Sequence, residues 1–98
     1  MKTLTICGSM RFQDEMIKIA TKLEAEEGFC VLQPVFLFGN EKFSDEEYEN
    51  VVKGHFQKID ISDGIYVVNI GGYVGSSTKS EIEYAKAHGK EVIFHEKV

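Results

Sequence analysis

A glycine-rich run, GGYVGSSTKSEIEYA at residues 71–85, holds the residue types best suited to chemistry in this chain. Its three glycines let the backbone turn sharply and approach a ligand closely: Gly71, Gly72 and Gly75. Three hydroxyl side chains follow, and together with the free N–H groups of a helix start they can bind an anion: Ser76, Ser77 and Thr78. Glu81 comes one turn later, where its carboxylate could bind a sugar hydroxyl or attack a sugar carbon.

The same run also matches a purely structural pattern. Thr78-x-x-Glu81 has the spacing of a capping box, in which a hydroxyl and a carboxylate each accept a hydrogen bond from a backbone N–H at a helix start. Spacing alone leaves both the capping role and the chemical role open.

A second turn, Gly8-Ser9-x-Arg11, joins a compact backbone, a hydroxyl and a guanidinium at the start of a helix. Arginine binds phosphate oxygens with paired hydrogen bonds, so this turn could face the glycine-rich run across a phosphate. The alternative is that Ser9 only caps the helix and that Arg11 lies in solvent.

Further polar residues precede or follow the third predicted strand. His55, Asp60 and Asp63 could transfer a proton or bind a ribose hydroxyl, if they lie near the same edge of the sheet. Alternatively, the acidic residues serve as turn or cap residues and His55 is a surface group on a polar helix. Tyr84, three residues after Glu81, could bind and orient that carboxylate.

Alternating strand and helix patterns must position these residues. Short apolar runs bounded by turn residues predict four strands, at residues 4–7, 29–32, 64–70 and 91–94. Helical spacing and stop signals predict three helices, from Arg11 to about Glu27, from a capping box at Ser44-x-x-Glu47 to Ile59 or Ile61, and from about Ser77 to His88.

This succession predicts an α/β fold, a three-layer, doubly wound and mainly parallel sheet of the flavodoxin-like or Rossmann-like kind. With strand order 2-1-3-4, the first and third strands are neighbours at the topological switch point. Ligands bind such sheets at the carboxyl ends of the strands, where both glycine turns would open.

Length and charge narrow the function. The 98 residues predict one domain, 1–98, and the formal charge of −5 argues against a nucleic-acid polymer as a partner, although a single nucleotide remains possible. No apolar run could span a bilayer and no basic apolar segment opens the chain, so we expect a cytoplasmic protein without a membrane partner.

The cysteines and histidines lack the spacing of a metal site. There is no C-x-x-C pattern and no zinc set among His55, His88 and His95, so we predict no metal and no cofactor. Cys7 and Cys30 fall at or near the ends of strands and are predicted to be buried thiols.

The only proline, Pro34, ends the second strand and begins an apolar loop, residues 35–38. This loop could cover the edge of the core, or it could form a lid, a base-stacking wall or a dimer contact.

Nearly the whole chain resembles the nucleoside 2-deoxyribosyltransferases and their nucleotide N-glycosidase relatives. The resemblance rests on CGSMR at residues 7–11, on Asp63 before an apolar strand, and on SEIEYA at residues 80–85 after a turn of small residues. It implies that Glu81 is a nucleophile that attacks the anomeric carbon, and that Ser9, Arg11 and the hydroxyls before Glu81 bind a 5′-phosphate. It also implies a homodimer or a higher homo-oligomer.

Three positions differ from the family pattern. Some relatives carry Asp or Ser where Gly75 stands, hydrolase relatives place an aromatic residue at Thr5, and Glu83 replaces a usual glycine. The group that assists the leaving base is therefore open, and a non-catalytic module that binds a nucleotide or phosphosugar is the alternative function. The run also compares with the Gly-Gly-x-Gly-Thr-x-x-Glu signature of nucleotide phosphoribohydrolases, but extra residues around Ser76 disfavour that match.

Overall fold

The computed structural model describes residues 1–98, which form one four-stranded parallel sheet and three helices. The strands are β1 (Thr3–Gly8), β2 (Cys30–Leu32), β3 (Gly64–Val68) and β4 (Glu91–Phe94). The helices are α1 (Gln13–Ala25), α2 (Asp45–Asp60) and α3 (Ser76–Ala87). None of the three helices has the length and apolar content that a membrane span requires.

The strand order is β2-β1-β3-β4, and every neighbouring pair is parallel. The predicted α/β fold class and strand order are therefore confirmed. The β1–β3 pair is the longest, running from Leu4 opposite Gly64 to Gly8 opposite Val68. Since β1 and β3 are central, the turns that follow them open side by side at the carboxyl edge of the sheet.

Alternation along the central strands divides the core into two layers. On one face, α1 packs against the sheet through Met16, Ala20 and Leu23. On the other face, α2 and α3 pack through Ile59, Ile82 and Ala85, together with Cys7 from β1 and Val67 from β3. The side chain of Cys7 thus points towards α2 and α3, because successive strand residues face opposite sides.

Two short 3-10 turns shift the element boundaries from their predicted positions. Met10–Phe12 forms the first, so α1 begins at Gln13 and not at Arg11. Ile70–Gly72 forms the second, and β3 accordingly ends at Val68, before Ile70.

The glycines of the second turn differ in what they contribute. Gly71 and Gly72 adopt positive φ angles of 65° and 82°, which favour glycine. Gly75 has φ of −73°, a value open to any residue, so the sharp turn expected there does not depend on it.

Candidate functional site

A cleft of about 1100 Å³ opens at the carboxyl edge of the sheet. Its floor is formed by the turn after β1, including Gly8 and Ser9, and by the first two turns of α3. The loop after β2 and one face of α2 form its walls. Seven of the residues predicted for a site line it: Gly8, Ser9, Gly75, Ser76, Ser77, Thr78 and Glu81.

Glu81 lies deep in this cleft and is bound at both carboxylate oxygens. Its Oε1 is 3.2 Å from Nε2 of His55, and its Oε2 accepts a hydrogen bond of 3.4 Å from the hydroxyl of Ser77. Only 13% of the Glu81 side chain and 11% of the His55 side chain are exposed. The carboxylate is thus held in a fixed position while remaining open to the cleft.

The interpretation of His55 as a surface group on a polar helix was wrong, because its side chain is largely buried. It falls on the stripe of α2 that also carries Val51 and Ile59, four residues before and after it. Residues at this spacing share one helical face, and this face packs towards the sheet and α3. The stripe was visible in the sequence and could have identified His55 as an inward-facing residue.

Cys7 completes a cluster that sequence reasoning missed. Its Sγ lies 3.5 Å from Nε2 of His55, and the residue is fully buried. Burial, and secondly the nearby carboxylate of Glu81, raise the pKa of the Cys7 thiol well above its ordinary value, so the thiol is protonated near neutral pH. The buried-thiol prediction is confirmed for Cys7, whereas Cys30 is only partly buried.

The start of α3 carries no capping box. The N-cap is Gly75, which has no side chain to accept a hydrogen bond. With Thr78 as the N-cap, α3 would begin at Lys79, but it begins three residues earlier, at Ser76. Thr78 is inside the first turn and 2% exposed. The first backbone bond of the helix runs from Lys79 N to Gly75 O, so the N–H groups of residues 76–78 have no partner within the helix.

Arg11 lies beside the cleft and not in its lining. Its guanidinium stacks 3.7 Å from the centre of the Tyr73 ring, and Tyr73 in turn lines the cleft. Ser9 accepts a hydrogen bond of 3.3 Å from the backbone N–H of Arg11, so it does cap its own turn, as one of the two alternatives held. The groups suited to an anion that do line the cleft are Ser9, Lys42 and the start of α3.

Asp63 and Tyr84 do not join this cluster, contrary to the expectation for both. Asp63 precedes β3, and residues before a parallel strand lie at the amino edge, opposite the cleft; its Oδ2 accepts a hydrogen bond of 2.8 Å from Thr3 N. The hydroxyl of Tyr84 donates a hydrogen bond of 2.6 Å to Asp60 and so does not orient Glu81. That bond is the main cause of a raised pKa of Tyr84.

The loop after β2 covers part of the core, as one of the alternatives held, and it also lines the cleft. Phe36 packs on the α1 layer of the core, while Val35 and Leu37 line the cleft. The side chain of Gln13 donates a hydrogen bond of 3.1 Å to the backbone oxygen of Leu37 and holds the loop in place. Together with Val51 and Phe56 of α2, this loop gives the cleft an apolar wall.

Comparisons with known proteins establish the fold and go no further. No protein-family model matches the chain, and no curated protein is significantly similar to it. Among solved structures, the chain is similar to a conserved protein from Enterococcus faecalis V583, with a TM-score of 0.67 and 16% sequence identity. The match covers 96% of this chain and 62% of that protein, so the chain spans less than two thirds of the other's length.

Proposed function

We propose that this chain cleaves or transfers the N-glycosidic bond of a nucleoside or nucleoside 5′-monophosphate, with Glu81 as the nucleophile. The observation that carries the proposal is the position of the Glu81 carboxylate, held by His55 and Ser77 inside a cleft at the carboxyl edge. The resemblance to nucleoside 2-deoxyribosyltransferases motivates the choice of reaction.

The uncapped start of α3 supports a substrate with a phosphate. Its N–H groups lack partners within the helix and carry the positive end of the helix dipole, which together favour an anion. Glu81 lies three residues beyond Thr78, a rise of about 4.5 Å along the helix. A phosphate bound at the helix start would therefore leave room for a furanose ring between itself and Glu81.

The apolar wall supports a base at the other end of the substrate. Val35 and Leu37 face the same cleft as Val51 and Phe56, and a planar base can bury its faces against such side chains. In this orientation the phosphate, sugar and base lie along the cleft, and the anomeric carbon falls beside Glu81.

The chemistry follows from this placement. A carboxylate oxygen of Glu81 forms a bond to C1′ while the bond from C1′ to the base nitrogen breaks, which yields a covalent glycosyl-enzyme. The departing base takes up a proton from solvent, and the attacking water returns one to solvent in hydrolysis. Water attacks C1′ in hydrolysis, and a second base does so in transfer; either attack restores the free carboxylate. His55 acts in this scheme as a positioning residue, because it contacts Glu81 at 3.2 Å and fixes its orientation.

A second candidate is a module that binds the nucleotide without turnover. It is favoured by Gly75, which offers no side chain where some members of the resembled family carry Asp or Ser. Under this candidate, the cleft binds ligand in the same orientation but the base never leaves.

One experiment separates the two candidates. Purified protein is incubated with a panel of nucleosides and 5′-monophosphates, free base is measured by chromatography, and binding is measured by calorimetry. Base release that stops in Glu81→Gln but persists in Glu83→Gln, an exposed glutamate on the same helix, supports the enzyme. Binding without release supports the module. Absence of both across the panel rejects the two candidates together.

A further inference from the structure

We propose that Cys7, His55 and Glu81 form a binding site for Zn²⁺ or a similar divalent transition metal, and that metal binding switches the cleft off. The metal site rests on the geometry of the three side chains alone. Only its regulatory effect rests on the proposed function, because a carboxylate bound to a metal would no longer be free to attack the sugar.

Two of the three separations between the donor atoms are already close to those of a tetrahedral metal site. Cys7 Sγ and His55 Nε2 are 3.5 Å apart, His55 Nε2 and Glu81 Oε1 are 3.2 Å apart, and all three donors lie within 4.8 Å of one another. Zinc bonds of about 2.0–2.3 Å at tetrahedral angles place neighbouring donors about 3.4–3.6 Å apart. Only a small movement of the Glu81 side chain is needed to enclose an ion.

The side chains come from three different elements, β1, α2 and α3, so the packed core preorganises them. This also explains why the sequence predicted no metal site. Cys7 and His55 are 48 residues apart, and His55 and Glu81 are 26 residues apart, far beyond the spacing of a local metal motif.

Charge favours a cation at this position. The Glu81 carboxylate lies beside the Cys7 thiol, a group that binds metals as a thiolate, so two of the three ligands can each supply one negative charge. On metal binding, the Cys7 S–H bond breaks, the sulfur bonds to the ion and the proton leaves to solvent, with no change of oxidation state. The thiolate and the carboxylate together then balance the two positive charges of the ion, so the loaded site buries no net charge.

The surroundings of the site indicate that a bound metal would exchange with solution. Nδ1 of His55 is buried and has no hydrogen-bond partner, whereas tightly held zinc sites fix that second nitrogen with an acceptor. The three protein ligands leave a fourth position for water or substrate, and Glu81 connects it to the cleft. Binding that a chelator reverses is therefore expected.

The test titrates chelator-treated full-length protein with Zn²⁺ by calorimetry and with Co²⁺ by absorption spectroscopy. One equivalent of Zn²⁺ and a cobalt–thiolate absorption band are expected. Cys7→Ser should abolish the band, and His55→Gln and Glu81→Gln should each weaken binding more than about 100-fold, since they remove a direct ligand. Cys30→Ser, which changes the other cysteine, should leave both signals intact.

Folding of each variant is checked by circular dichroism. If Cys7→Ser is unfolded, the test rests on His55→Gln and Glu81→Gln. Absence of the thiolate band in the wild type, or full Zn²⁺ affinity in both His55→Gln and Glu81→Gln, overturns the metal site. Base release is then measured with chelator and with increasing Zn²⁺, and its loss should follow the fraction of sites occupied. Metal binding without any base release in chelator rejects the proposed function and leaves the metal site standing, whereas unchanged base release on the fully loaded protein overturns the switch.

Discussion

Helices α2 and α3 begin with the same spacing of hydroxyl and carboxylate, Ser44-x-x-Glu47 and Thr78-x-x-Glu81, yet only α2 forms a capping box. At α2, Ser44 Oγ accepts a hydrogen bond of 3.2 Å from Glu47 N, and Glu47 Oε1 accepts one of 2.8 Å from Ser44 N. At α3, the cap position belongs to Gly75, and the carboxylate of Glu81 turns to His55.

The difference arises from the surroundings of each helix start. Ser44 and Glu47 are exposed, so no other group competes for their hydrogen bonds. Thr78 is buried in the first turn of a helix that starts directly at the edge of the sheet, and Glu81 faces the cleft. The start of α2 caps itself, whereas the start of α3 leaves its first N–H groups without a partner in the helix and directs the Glu81 carboxylate to His55 and Ser77 in the cleft.

The largest expected effect separates the two glutamates. Glu81→Gln should lower base release by more than about 1000-fold, because a carboxamide cannot replace the nucleophile. Glu47→Gln should leave the rate unchanged, since that carboxylate only caps α2. Rates are measured by chromatography of the free base. Equal rates for the two variants would contradict a catalytic role for Glu81.

The two hydroxyl residues should stabilise the protein through different groups, the hydroxyl at Ser44 and the buried methyl at Thr78. Ser44→Ala should lower the free energy of unfolding by about 1 kcal/mol, because it removes a cap, whereas Ser44→Thr keeps the hydroxyl and should have a small effect. Thr78→Ser keeps the hydroxyl but should still cost about 1 kcal/mol, because it removes a buried methyl group. Urea unfolding checks all three. A neutral Thr78→Ser would indicate that the hydroxyl, and not burial, matters at this position.

A cap can be added where α3 lacks one. Gly75 has an ordinary φ of −73°, and a Cβ there would meet only the Tyr73 side chain, whose hydroxyl oxygen is 3.5 Å away. Gly75→Asp should stabilise the protein by a few tenths of a kcal/mol, about the difference between glycine and aspartate at an N-cap.

The same substitution should weaken the binding of a 5′-monophosphate more than that of the matching nucleoside, since the new carboxylate occupies the N–H groups and repels the phosphate. Calorimetry with both ligands measures this, and Gly75→Ser supplies a neutral cap as the control. Equal losses for the two ligands would argue against a phosphate at the start of α3.

The smallest effect is a dependence on pH. Hydrogen bonds from the backbone and the side chain of Ser44 lower the pKa of Glu47 below its usual value. Its stabilising effect is therefore fully present above the ordinary pKa of glutamate and is lost as the pH falls through the lowered value. The difference in melting temperature between wild type and Glu47→Gln should accordingly shrink in acid. A constant difference from neutral to acid pH would contradict the capping role of the carboxylate.

Much of the fold was predictable because it rests on local patterns. The apolar run at β4 predicted Glu91–Phe94, the bounds that the structure has, and the α2 capping box formed where the spacing placed it. The predicted element boundaries were wrong where the chain makes short 3-10 turns, as at Met10–Phe12, because such turns do not interrupt the hydrophobic pattern of the sequence. Asp63 was assigned to the wrong edge of the sheet. It does come directly before β3, but a residue before a parallel strand lies at the amino edge, opposite the cleft.

The amino-acid sequence by itself determined the succession of strands and helices, the parallel order 2-1-3-4 and the glycine turns at the carboxyl edge, because periodicity and right-handed crossovers are local or nearly local constraints. Only the tertiary structure decided which of two identical spacings would form a cap, and that Cys7, His55 and Glu81 would meet. Those outcomes depend on packing between β1, α2 and α3, elements far apart in the chain, and a hydrogen-bonding group takes the partner that packing brings to it.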